Sequence, residues 1–226
     1  MPANVNPAGR NYDASGRLAR ARQTRRAILD AAISLFTAQG YGATTLQSIA
    51  DEAGVAVQTI YATLENKPTI LSEALDVAIS GDDESTAVNE RDWMSEVWSA
   101  ETAARRLRAY AAAVGQIMDR ASDMFMVVTN AALTDARLTD LDAETQRRRR
   151  HGAASVVRSV TAVSDLATGL SEERATDLVW LYNSPAVHQQ LVRAAGWSSD
   201  EYVAWLGAAL VREVLGGEVS GISELF

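Results

Sequence analysis

This sequence predicts an all-α fold, and three observations carry that prediction. Beyond residue 20 the only prolines are Pro68 and Pro185, set in long Ala-rich stretches that contain little to break a helix. Apolar residues recur at spacings of three and four, and no run alternates apolar and polar residues between hairpin turns. Helix-capping residue types stand at the expected ends: Thr45, Asn66, Ser171 and Ser198 at starts, Gly40 and Gly54 at stops.

The elements follow in order. Residues 1–20 are rich in Pro, Asn, Gly and Ala and are expected to form a disordered basic arm. Ile28, Leu29, Ala32, Ile33, Leu35 and Phe36 then share one helical face, which Gly40 ends. Thr45 caps a short helix carrying Leu46, Ile49, Ala50 and Ala53, closed by Gly54, and a second short helix covers about 57–64. Asn66 caps a longer helix that tolerates Pro68 in its first turn and aligns Ile70, Leu71, Ala74, Leu75, Ala78 and Ile79. Residues 81–91 read as a polar, acidic loop. Helices are expected over 107–118, 124–134 and 139–163. Ser171, with Glu172 and Glu173 behind it, starts another that Pro185 kinks. Ser198 and Glu201 match a capping box, with Trp197 and Tyr202 as its hydrophobic staple, and Val203, Leu206, Leu210 and Val214 continue the last helix.

Composition narrows the chemistry. The 226 residues include no cysteine, which excludes disulfides, thiolate metal sites and Cys nucleophiles. His151 and His188 are far apart and neither ends a Glu-x-x-His motif, so no metal centre and no cofactor are expected. No apolar run reaches the ~18–20 residues of a membrane span. The opening Met1-Pro2-Ala3-Asn4 lacks the apolar core of a secretory signal, so a cytoplasmic protein is expected. The net charge of −8 is unevenly spread. Residues 1–70 hold seven basic and five acidic side chains, the remainder 14 and 24. Six arginines and only Asp13 lie between Arg10 and Arg26, so one end of the chain suits a polyanion and the other does not.

The informative stretch runs from Thr44 to Tyr61. Two short helices meet at a tight turn, Ala50 is small where they approach, and Ile49, Val55 and Ile60 can bury between them. Gly54 supplies the positive φ that such a turn demands. That is a helix-turn-helix, whose second helix enters the major groove of DNA. Phe36-Thr37-Ala38-Gln39-Gly40-Tyr41, Thr44-Thr45, Ile49-Ala50, Ala53-Gly54-Val55, Thr59-Ile60-Tyr61 and Asn66-Lys67 follow one another over about residues 22–80. In this order the sequence resembles the TetR (tetracycline-repressor-like) family of one-component transcriptional regulators.

The resemblance implies an N-terminal three-helix DNA-binding domain over 21–68 and a larger helical ligand-binding and dimerisation domain over 69–226. It also implies phosphate contacts from Tyr61 and Lys67, the only lysine in the chain. Thr45 sits at a helix start near the backbone, Gln58 and Thr59 lie early on the recognition helix, and Gln47 and Thr63 are further candidates. Gln58 can read adenine through paired hydrogen bonds. Arg17, Arg20, Arg22, Arg25 and Arg26 add electrostatic affinity or reach the minor groove, or else form only a solvated tail. The chain departs from the family at Ala56, where a serine cap is common, at Ala62 and Leu64, which replace aromatic positions, and at Glu65, which sets a negative charge near the phosphates.

For the second domain, Ser184-Pro185-Ala186, Leu191-Val192 and Ala195-Gly196-Trp197-Ser198 resemble a TetR C-terminal ending. The last two long helices are then expected to pair with a twofold mate, through residues among Leu178, Val179, Leu181, Val187, Leu191, Val203, Leu206 and Leu210. A pocket for an apolar or aromatic effector is expected among Trp98, Tyr110, Met118, Phe125, Met126 and Asn130, although such stripes also serve as plain core. Arg147 to Arg150 fan around a helix and read as a solvated face paired with acids, or else as a site for an anion. The function expected is a homodimeric repressor on an inverted-repeat DNA operator, released by a small molecule. A helical-bundle enzyme is the first alternative, but no nucleophile–base set is present to support it. A protein-interaction module that uses the helix-turn-helix for docking is the second.

Overall fold

The structure, a computed structural model, describes residues 8–82 and 88–216; described side chains begin at residue 16 and omit that of Asn89. Ten α-helices occur among the described residues, with no strand. They fall into two compact units, Met1–Ala74 and Leu75–Phe226.

In the first unit, α1 (Ala8–Ala43), α2 (Leu46–Ala53) and α3 (Val57–Leu64) pack on one another, and α4 (Lys67–Ser80) begins. Residues 8–20 are therefore helical, which corrects the expectation of disorder there; residues 1–7 lie outside the described residues. Alanines, arginines and Leu18 are good helix formers, and a helix nucleated in the packed segment propagates into them at little cost. Gly40 (φ 80, ψ 165) breaks the helical run where its sequence position indicates. Ile28, Leu29, Ala32, Phe36, Ile49, Ile60 and Leu64 are buried in this unit. Each such large side chain contributes about 1.5–3 kcal/mol by leaving water.

The second unit continues α4 and holds α5 (Ser95–Ser99), α6 (Ala103–Ala132), α7 (Thr139–Thr161), α8 (Glu172–Tyr182), α9 (Pro185–His188) and α10 (Ser199–Leu215). Here α6 packs along α7 and α10, while α8 packs on α7 and α10. The two helices expected over 107–118 and 124–134 are one helix of 30 residues. The intervening Asp119-Arg120-Ala121-Ser122-Asp123 contains neither Gly nor Pro; its charged residues simply occupy the outer side while Ala121 and Ser122 are buried. Pro185 does not kink α8. It occupies the first turn of α9, where its missing N–H is harmless, and a π-helical turn over Gln189–Ala194 follows. The capping box at Ser198 and Glu201 is formed, and the Trp197 ring lies edge-on to Trp205 with centroids 6.0 Å apart. No helix among the described residues is long and apolar enough to cross a membrane.

Candidate nucleic-acid interface and helical cavity

The turn between α2 and α3 is set by backbone conformation. Gly54 takes φ 66, ψ 33, and the Gly54 and Val55 N–H groups return to the Asp51 and Ala50 carbonyls. A Cβ on Gly54 would meet nothing within 4 Å, so glycine is needed for its positive φ and not for space. At the start of α2, the Thr45 side chain accepts from the Ser48 N–H at 3.0 Å, and Ser48 Oγ accepts from the Thr45 N–H at 3.0 Å. Ala56, at the start of α3, has the extended backbone of a cap (φ −73, ψ 145) but no side chain to bond the helix N–H groups.

α3 is two-sided. Ile60 and Leu64 face inward at 0% and 1% exposure, whereas Tyr61 is 57% exposed. An aromatic ring left this open contributes little to the core, which leaves its hydroxyl for an external partner. Gln58 is also exposed and, three residues before Tyr61, shares its face. Thr59 and Thr63 are half-buried, with the Thr63 hydroxyl donating to the Thr59 carbonyl at 2.7 Å. On α2, Thr45 and Gln47 are exposed, and the Gln47 amide donates to Asp51 at 2.8 Å.

Lys67 is placed differently from these. Its half-buried ammonium donates to the Tyr41 and Thr44 carbonyls at 2.8 Å each and lies over the Tyr41 ring. Arg25 pairs with Glu73 at 2.5 Å and Arg26 with Asp30 at 2.8 Å. Arg17, Arg20 and Arg22 are exposed. Between α3 and α4, Glu65 has φ 58, ψ −58, and the Asn66 N–H reaches the Leu64 carbonyl at 2.6 Å. That is a γ-turn of the rare positive-φ kind.

The second unit holds a cavity of about 590 Å³, within the size range of small-molecule sites. Trp98, Tyr110, Met118 and Phe125 line it as expected. Met126 and Asn130 are not among its lining residues, and helix geometry gives the reason. One and five positions beyond Phe125 on the same helix, they are turned about 100° and 140° away from the inward face. Asn130 is exposed.

Arg149 and Asn183 also line this cavity; Asn183 was not nominated from sequence, and Arg149 only as one of the Arg147–Arg150 run read as a solvated face or a site for an anion. The four arginines part company, as four consecutive helical residues must. Arg147 and Arg148 pair with Glu144, Arg148 also with Asp76, and Arg150 with Asp177. Arg149 instead turns inward. It donates to Gln146 Oε1 at 2.7 Å, Asn183 Oδ1 at 2.7 Å, and the Trp180 and Asn183 carbonyls at 3.2 and 3.1 Å. The solvated-face reading thus fails for Arg149, whereas its neighbours pair with acids, Arg148 while also lining the cavity. Asn183 in turn donates to the Tyr110 hydroxyl at 2.5 Å, and burial pushes that hydroxyl's pKa up.

Two short helices about a left-handed glycine, with the outer face of the second presenting Gln58 and Tyr61, define a helix-turn-helix DNA-binding protein. Residues 28–74 match the family model of bacterial regulatory proteins, tetR family. The N-terminal unit accordingly holds a DNA-binding domain of the tetR-family kind.

Solved structures agree on the fold. The fatty acid degradation regulator FadR from Bacillus halodurans aligns with TM-score 0.65 at 17% identity, over 82% of this chain and 93% of its own. NalD, the secondary repressor of the MexAB-OprM multidrug efflux pump in Pseudomonas aeruginosa, aligns with TM-score 0.61 at 16% identity, over 85% and 97%. TylP, a TetR regulator from Streptomyces fradiae, aligns with TM-score 0.58 at 18% identity, over 87% and 88%. No curated protein matches the sequence.

Proposed function

We propose that the chain is a cytoplasmic, homodimeric repressor that binds an inverted-repeat operator and leaves it when a small molecule enters the helical unit. The observation that carries this reading is the outward face of α3, where Gln58 and Tyr61 stand in solvent beside buried Ile60 and Leu64. In this reading Gln58 and Thr59 approach base edges, and Tyr61 and Thr45 contact phosphates. Gln47 and Thr63 lie at the margin of the contact. Lys67 serves chiefly by holding the corner between α1 and α2 in shape.

The dimer is proposed to form through α8 and α10. Leu181 is 57% exposed, and Leu178, Val187, Leu191 and Val203 are half-buried, while Val179, Leu206 and Leu210 already belong to the chain's own core. A twofold pairing would bring two recognition helices to the ~34–36 Å spacing of successive major-groove turns. Release by a ligand requires the ligand to bind the non-operator geometry better than the operator-bound one. α4 suits such coupling because it supplies Lys67 to the first unit and Leu75, Asp76 and Ile79 to the cavity of the second.

Affinity selection from random duplex DNA tests the reading. An inverted repeat is expected to be recovered, with affinity falling steeply as salt rises. Binding indifferent to both sequence and salt would refute it.

A further inference from the structure

We propose that the cavity of the second unit takes an apolar carboxylate, its acid group held by the Tyr110 hydroxyl and the Arg149 guanidinium and its hydrocarbon body by Trp98, Met118 and Phe125. This rests on the ligand-responsive reading above and adds to it the chemical class of the effector.

The polarity of the network around Arg149 is fixed by chemistry. A guanidinium can only donate, so the Asn183 atom 2.7 Å from it must be the carbonyl oxygen. The amide of Asn183 is thereby oriented, and its nitrogen must be the atom 2.5 Å from the Tyr110 hydroxyl oxygen. Tyr110 is therefore the acceptor in that bond, and its own hydrogen remains to be given. No described residue receives it. A buried hydroxyl at the end of such a relay, on the wall of a cavity, calls for an acceptor inside that cavity.

Charge points the same way. Asp76 and Arg148 both line the cavity and pair with each other at 3.2 Å, so together they bring no net charge. Arg149 donates to four acceptor atoms on three residues, all neutral, and its Nε is buried with no acceptor. Asp142 is near enough to act on Arg149 electrostatically but is bonded to Thr129, so no carboxylate pairs directly with the guanidinium beside a largely apolar wall, and one negative charge on the ligand answers it. A neutral ligand can accept the Tyr110 hydrogen but leaves the Arg149 charge unanswered, and a cationic ligand adds to that charge. Burial holds the Arg149 pKa below its ordinary value, against the opposing pull of Tyr110, Tyr202 and Asp142.

Calorimetric titration of the full chain near neutral pH tests this, with decanoate and 4-phenylbutanoate as probes and decanol and 4-phenylbutylamine as matched controls. At least one acid is expected to bind, about 10-fold or more tighter than its control. Arg149→Gln should weaken that acid about 10-fold or more and leave decanol unchanged. Tyr110→Phe, which keeps the ring and its packing, should weaken the acid about 3–10-fold. Melting curves show whether each variant folds; should Arg149→Gln unfold, Tyr110→Phe carries the test alone. Equal binding of decanol and decanoate, tighter binding of the amine, or no binding of any probe overturns the proposal. Operator selection is measured separately. A chain that recovers an inverted repeat but ignores both acids refutes only the ligand class. One that binds an acid but holds its operator unchanged refutes release by that ligand instead.

Discussion

The Lys67 ammonium lies 4.0 Å from the centre of the Tyr41 ring and also donates to the Tyr41 carbonyl oxygen at 2.8 Å. A single side chain at the start of α4 thus holds the end of α1 twice, through the face of an aromatic ring and through its backbone. With its second bond to Thr44, this fixes the corner from which α2 departs. Lys67→Met keeps the aliphatic stem and removes the charge. It is expected to lower the stability of the first unit by about 1–3 kcal/mol, from charge-assisted hydrogen bonds and a cation–π contact. Urea denaturation followed by circular dichroism measures it, and an unchanged midpoint would contradict the role assigned here.

Ala56 has the backbone of a helix cap without the side chain. Ala56→Ser places a hydroxyl oxygen where it can accept from the first orphan N–H groups of α3. Stability should rise by about 0.5–2 kcal/mol. A thermal melt that moves down instead would show that the side chain at this position meets an obstacle.

Gln58 and Tyr61 are exposed, so replacing them should cost the fold less than about 0.5 kcal/mol. Their proposed roles on DNA differ in kind. Gln58→Ala should cost about 1–3 kcal/mol on the best operator and relax the preference at one base position. Tyr61→Phe should weaken binding to all duplexes alike, because a phosphate contact carries no base preference. Fluorescence anisotropy against the selected operator and its single-base variants separates the two. Uniform loss with Gln58→Ala would reassign that residue to the backbone.

His188 is buried, edge-on to the Tyr202 ring at 4.8 Å, with Nε2 3.5 Å from Asp119 Oδ1. Burial outweighs the pull of Asp119 and holds its pKa below the ordinary 6.5; Arg193 lowers it further and Asp123 raises it. The unfolded chain therefore takes up a proton at this histidine more readily than the folded one. The resulting stability is present above about pH 6.5 and is lost as pH falls through the folded pKa. Urea melts from pH 8 down to 5 should show the wild type weakening below about pH 6.5 more steeply than His188→Phe. Parallel curves would remove His188 from the acid response.

The helix-turn-helix was legible in the sequence because its determinants are short-range. Thr45 and Ser48 cap each other across three residues, Gly54 takes the one conformation it was suited for, and Ile49, Ile60 and Leu64 mark the inner faces by period alone. The continuity of α6 was not. A polar segment inside a helix and a loop between helices look alike unless a Gly or Pro decides between them. Half of the cavity was legible as well, since Tyr110, Met118 and Phe125 recur on the inward face of one long helix. Asn183 gives no local signal, because its role arises only where the end of α8 meets Tyr110, 73 residues earlier. Arg149 did leave a trace. Four arginines stepping about 100° apart cover most of a helix circumference, so one of them had to face its neighbours.

The γ-turn at Glu65 has a consequence for the proposed grip on DNA. It is the only non-glycine with positive φ among the described residues, and it follows directly on the helix proposed to face the groove. Its acidic side chain is exposed, on the side of the chain where a polyanion is expected. A glycine there would relax the backbone and lift the repulsion together, so Glu65→Gly should both melt later and hold duplex DNA more tightly. On the proposed function, the natural residue would keep the complex short of its attainable tightness, which suits a switch that must let go as readily as it takes hold.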